Sequence, residues 1–243
     1  MARRRKYKNK GIIPLILIAI ILVYNTYYEE LNNLFKSFAY KTEDKTYNLD
    51  NISEYNGEYY IILNNNEPNF SINDLSVESF EKYSTQDYLD RSGVAYANIG
   101  IDLMPTEERG SIGGIKPTGW HTVKYDIVDG KYLYNRCHLI GHQLSGENAN
   151  PENLITCTRQ MNVEGMLPFE NKVAEYVKTT NNHVLYRVTP IFENNNLLAS
   201  GVQMEALSVE DNGKGIKFNV YIYNVQDGIN IDYSDGSSTL KED

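Results

Sequence analysis

Met166, Phe169, Val173, Tyr176 and Val177 recur three and four residues apart, the spacing that lays side chains along one face of a helix. Pro168 stands where a first helical turn tolerates proline. Segments on either side of this stretch alternate or cluster like strands instead. Before it come Tyr59–Leu63, Val94–Ile101, Trp120–Tyr125 and Tyr132–Tyr134, the last running on into Asn135-Arg136-Cys137-His138; after it come His183–Phe192, Gln203–Leu207 and Lys217–Tyr223. Strands before and after one central helical section predict an α+β fold with a mainly antiparallel sheet. Asn64-Asn65-Asn66 and Asn194-Asn195-Asn196 read as loop tips.

The first residues obey different rules. Arg3, Arg4, Arg5, Lys6, Lys8 and Lys10 precede an uncharged run, Gly11 to Tyr24. Fourteen residues at 1.5 Å each reach about 21 Å, short of the roughly 30 Å hydrocarbon core. Interfacial Tyr24, Tyr27 and Tyr28 and snorkelling lysines extend such a span. No Ala-x-Ala-like site comes after it, so an uncleaved signal-anchor is expected, with a cleaved signal peptide and a buried soluble helix as alternatives. The resulting division is a basic cytoplasmic segment 1–10, a transmembrane signal-anchor 11–28, a polar stalk 29–50 and a folded domain 51–243. The positive-inside rule places that domain outside the cell.

Charge narrows the partners. The whole chain carries a formal net charge of -9. The six basic residues at the start offset much of the acidity, leaving 17 basic against 32 acidic side chains, or -15, for residues 11–243. A polyanion can be held by such a domain only through a local basic site or a bound cation.

The chemistry concentrates around the histidines, of which there are four: His121, His138, His142 and His183. Two fall in Asn135-Arg136-Cys137-His138-Leu139-Ile140-Gly141-His142. Asn150-Pro151-Glu152-Asn153 through Asn162 comes next, and then Phe169-Glu170-Asn171. With Arg109-Gly110-Ser111-Ile112, Lys116-Pro117-Thr118-Gly119-Trp120, Tyr186-Arg187-Val188-Thr189 and Phe218-Asn219-Val220, this ordered series resembles the DNA/RNA non-specific endonucleases of the ββα-metal (His-Me finger) group. It is most similar to the branch of streptococcal secreted DNases and the membrane-bound nuclease of bacterial DNA uptake. The resemblance runs from about Asp102 to Asp235.

It implies phosphodiester hydrolysis of DNA to 5′-phosphate products, with RNA left open as a second substrate. His138 would be the general base and Asn162 the protein ligand of one Mg²⁺, with Mn²⁺ able to substitute and no small-molecule cofactor. Arg109 matches a phosphate-contacting arginine. Glu170 matches a helical carboxylate that holds metal-bound waters. Asn153 matches an asparagine that bonds phosphate or orients the histidine. A neutral imidazole can take a proton from water near neutral pH, and one neutral amide leaves most of the six positions of Mg²⁺ to water and phosphate. The usual motif is Asp-Arg-Gly-His; Asn135 and Cys137 depart from it, and loss of the carboxylate predicts weaker Mg²⁺ affinity. Cys137 and Cys157 are open to two readings, a disulfide or free thiols.

Ordinary readings stand beside these. Asn162 could cap a turn, Glu170 could be a helix N-terminal charge, and Arg109 could be solvated beside Glu107 and Glu108. His142 is expected to point away from the reaction centre, although with His138 and the two cysteines it could form a structural zinc site. An exported nucleic-acid-binding domain without turnover, or a toxin aimed at other cells, are the rival functions.

Overall fold

The computed structural model describes residues 52–242. The segment 1–10, the signal-anchor 11–28 and the stalk 29–50 lie outside the described residues. Among the described residues no helix is long and apolar enough to cross a membrane.

A six-stranded antiparallel sheet forms the body. Its strands are β1 (Tyr60–Ile62), β2 (Phe80–Tyr83), β3 (Ala95–Ile99), β6 (Val184–Ile191), β7 (Gly201–Ser208) and β8 (Lys217–Tyr223), in the spatial order β1-β8-β7-β6-β3-β2. The hairpin of β4 (Tyr134–His138) and β5 (Leu154–Thr158) stands apart, as does the small pair β9 (Ile229–Ile231) and β10 (Ser238–Leu240). Between β4 and β5 lies α1 (His142–Ser145); after β5 come a π-helical segment (Met161–Met166) and α2 (Leu167–Thr180). The mainly antiparallel sheet and the central helix are as the sequence pattern predicts.

The sheet has two unlike faces because strand side chains alternate. Val202, Met204 and Ala206 of β7 share a core with Val184, Tyr186 and Val188 of β6 and Phe218, Val220 and Ile222 of β8. Helix α2 closes that core with Phe169, Val173, Ala174 and Val177. Val173 and Val177 are fully buried, each contributing about 1.5–3 kcal/mol. The opposite face is polar yet covered. Gln203 donates to Asn219 at 2.9 Å, Arg187 pairs with Glu205 at 2.7 Å, and Glu205 accepts the backbone N–H of Asn69 at 2.8 Å. Buried polar groups must find partners, and here residues 66–78 supply several of them.

Asparagines end several elements because their short side chain tolerates left-handed backbone. Asn64, Asn65 and Asn66 all have positive φ, and so does Asn194 in the second loop tip. Asn181 (φ 60°) terminates α2, its N–H bonding the Val177 carbonyl at 2.9 Å.

Trp120–Tyr125 departs from its expected strand. Only Lys124 forms a bridge, to Tyr132, while Trp120 packs on the Arg136 guanidinium, which lies 3.9 Å from the ring centroid. An indole stacked on a cation substitutes for a strand neighbour, and the segment runs as loop.

Candidate active site

The site is assembled by the β4–β5 hairpin and the helical segments that lead out of β5. Antiparallel pairing sets Asn135 opposite Cys157, Cys137 opposite Ile155 and His138 opposite Leu154. A disulfide joins Cys137 to Cys157 across the hairpin. That bond takes both thiolates out of the zinc reading. Among the described residues, moreover, no group of three or more His, Cys, Asp or Glu is placed to hold a metal.

His138 ends β4 and is 7% exposed. Its Nε2 lies 2.7 Å from the Asn148 carbonyl. A carbonyl can only accept, so Nε2 carries the proton and Nδ1 keeps the lone pair. An Arg109 amino group lies 3.3 Å from that Nδ1 and donates to it. Burial lowers the imidazole pKa below its ordinary 6.5, helped by the charges of Arg109 and His142 and opposed by the Asn148 carbonyl. The ring is thereby held neutral, in one tautomer, with its basic nitrogen toward an exposed arginine.

Asn153 is fully buried below this turn. Its amide accepts from the Ile140 N–H at 2.8 Å and donates to the Ile140 carbonyl at 3.0 Å, and its own carbonyl accepts from Leu139 at 2.9 Å. With both amide ends engaged by Ile140, Asn153 fixes the backbone directly after His138. The side chain is buried among these backbone partners.

After β5, the chain enters the π-helical segment, a conformation frequent at functional sites. Asn162 lies in its first turn and Glu170 in the first turn of α2. His138, Asn162, Glu170 and Arg109 all line one cleft of about 410 Å³, joined by Arg136 and Arg159. Glu170 is 9% exposed, and burial pushes its carboxyl up to about 7, against the opposing effects of Gln143 and Arg109. It sits tightly against the turn beyond His138: a Cβ on Gly141 would come within 2.6 Å of its Oε2, so a side chain there would displace the carboxylate.

His142 corrects an expectation, since it lines this cleft instead of pointing away; only Leu139, Ile140 and Gly141 separate β4 from α1, of which His142 is the first residue, so it stays close to His138. Arg136 and Arg159 also line it, though neither was placed in the site from sequence. Asn148 was likewise missed. It acts through its backbone carbonyl, for which the residue type gives no signal. Asn135, the departure from the family motif, lines a neighbouring cleft, and its amide nitrogen is buried without a partner.

The donor set fits a strongly hydrated hard cation. One neutral amide oxygen and one buried carboxylate share a cleft with arginines for anionic oxygens. That is too few ligands for a closed protein cage and enough for an ion that keeps its waters.

Comparison with known proteins adds four likenesses. Residues 71–210 match the family model described as DNA/RNA non-specific endonuclease. A deoxyribonuclease of Streptococcus dysgalactiae subsp. equisimilis is 33% identical over 110 residues, 43% of this chain and 32% of that protein. The chain thus spans about a third of that relative. NucA from Streptococcus agalactiae, solved with a magnesium ion bound, superposes with a TM-score of 0.67 at 28% identity, covering 74% of this chain and 87% of that one. The Sda1 nuclease with bound zinc gives a TM-score of 0.61 at 29% identity, covering 76% and 97%.

Proposed function

We infer, for a chain that belongs to the DNA/RNA non-specific endonuclease family, that it hydrolyses phosphodiester bonds of DNA without sequence specificity. The observation that carries this reading is the shared cleft. A neutral, oriented imidazole, a lone amide oxygen, a buried carboxylate and three arginines face one another in it.

In this reading His138 Nδ1 takes a proton from the attacking water, since Nε2 is already protonated and tied to Asn148. Asn153 and the Asn148 carbonyl keep the ring from turning. Arg109 moves from its contact with Nδ1 to the reacting phosphate, an inexpensive change for an exposed side chain, and its planar fork suits that oxyanion. Asn162 would hold the divalent cation directly and Glu170 would hold its waters. Bound there, Mg²⁺ would neutralise charge on the non-bridging oxygen and on the departing 3′ oxygen. Products with 5′-phosphates result from in-line displacement of that 3′ oxygen. The magnesium in NucA and the zinc in Sda1 support a divalent ion; Mg²⁺, with Mn²⁺ substituting, is our choice from the ligand chemistry.

We further propose that residues 11–28 anchor the protein in the membrane with the domain 51–243 outside, from the basic cluster and apolar run of the sequence alone. The test of function is degradation of plasmid DNA and of RNA by the purified protein in Mg²⁺, with EDTA as control. His138→Ala should lose at least about 100-fold, the lower range for a general base. Asn162→Ala should lose activity and regain part of it at high Mg²⁺. Binding without cleavage would leave a nucleic-acid-binding domain, and full activity in either variant would refute the assignment.

A further inference from the structure

Next to the reaction cleft lies a second one of about 480 Å³, which the chemistry above does not use. The two share Arg109, Arg136, Arg159 and Asn162, so they are continuous. Its volume is in the range of pockets that hold one small ligand. The wall away from His138 is aromatic: Trp120, Tyr132 and Tyr134.

Three features separate it from a packing gap. Tyr132 is 47% exposed, unlike the buried aromatic residues of the core. The Lys124 ammonium lies 4.4 Å from the centroid of that ring, which brings a cation and an aromatic face together. Arg159 pairs with Asp129 at 2.9 Å, and that carboxylate is 79% exposed; such pairs yield readily to a stronger anion. The described residues include five arginines, at 91, 109, 136, 159 and 187. Three of the five line this cleft, in a domain that is otherwise acidic. Phosphates fit arginines, and flat bases fit aromatic faces.

We propose that the second cleft is a nucleotide subsite. It takes one unpaired nucleobase beside the phosphate in the reaction cleft, stacked against the Tyr132 and Trp120 wall, with the adjoining phosphate on Arg159. A base still paired in a duplex cannot enter a concavity, so the subsite favours single-stranded or locally opened substrate. The ligand's identity rests on the phosphodiesterase reading above; the cavity, its aromatic wall and its cations do not.

The chain has a single tryptophan, Trp120, and it lines this cleft. Selectively excited tryptophan emission of the full chain in EDTA therefore reports occupancy without turnover. Single-stranded octathymidylate should quench it saturably. An abasic strand of the same length and a blunt duplex should leave the emission largely unchanged. Tyr132→Ala should weaken the single strand about five-fold or more, the lower end (about 1 kcal/mol) for base–aromatic stacking, while Tyr132→Phe keeps the affinity. Arg159→Gln should also weaken it. Hydrolysis in Mg²⁺ with no quenching, or equal quenching by the abasic strand or the duplex, would overturn the subsite. Quenching without hydrolysis would uphold the subsite and overturn the nuclease reading instead.

Discussion

Glu170→Gln should make the metal-free protein more stable while removing its activity. The carboxyl is pushed up to about 7 from an ordinary 4.5 because it is 9% exposed and enclosed by Gly141 and α2. In the unfolded chain it ionises near 4.5, but in the folded protein only near 7. Between those values the unfolded state releases a proton the folded state retains, so stability falls as pH rises through the window. At about 1.36 kcal/mol per pH unit, the full cost above pH 7 is about 3 kcal/mol. Glutamine has the same shape and no charge to desolvate. In EDTA at pH 8.5 the variant should melt several degrees higher, given about 2–4 °C per kcal/mol for a domain of this size. Near pH 4.5 the two proteins should melt together. Added Mg²⁺ should raise the wild type more than the variant, because a cation beside the carboxylate offsets its burial. Thermal unfolding monitored by circular dichroism, at both pH values and with and without Mg²⁺, reads all of this. Equal or lower stability of the variant at pH 8.5 in EDTA would refute the reasoning, as would a gain that persists unchanged at pH 4.5.

Three further outcomes are expected. The depressed pKa of His138 keeps the base neutral below its ordinary 6.5, so the acid limb of kcat/KM should fall below pH 6.5; a limb above it would contradict the burial argument. Asn153→Ala strands the buried Ile140 N–H and carbonyl, costing about 1–3 kcal/mol for each group left unsatisfied, and urea titration together with kcat should show stability and turnover declining jointly. Breaking the Cys137–Cys157 disulfide frees a loop with a sequence separation of 20. Loop closure of that length is worth about 3 kcal/mol, so Cys137→Ala with Cys157→Ala should lower the melting temperature by several degrees.

What the sequence revealed depended on whether a residue's role can be read from its type and neighbours. Strands β6, β7 and β8 and helix α2 were legible because their apolar side chains repeat with a clear period. β5 was not: its sequence, Leu154-Ile155-Thr156-Cys157-Thr158, opens on two apolar residues and carries no apolar–polar alternation along its whole length, whereas β7, equally buried, alternates Val202, Met204 and Ala206 with Gln203 and Glu205. Trp120–Tyr125 alternated well but lacked a partner strand beyond one bridge. In the candidate site, His138, Asn162, Glu170 and Arg109 could be named because each would act through its own side chain. Asn148 works through a backbone carbonyl, and Arg159 reaches the cleft only because the hairpin ends beside it. Neither leaves a mark in a local pattern.

The hairpin has one more consequence. Arg136 and His138 face the cleft from β4, while Cys137 between them belongs to the core. Inserting or deleting a single amino acid in that strand would exchange the two populations, turning the imidazole inward and the sulfur outward. The length of β4 is therefore as much a part of the site as the identity of its residues, and a change of chain length is accommodated in the loops on either side and not in the strand itself.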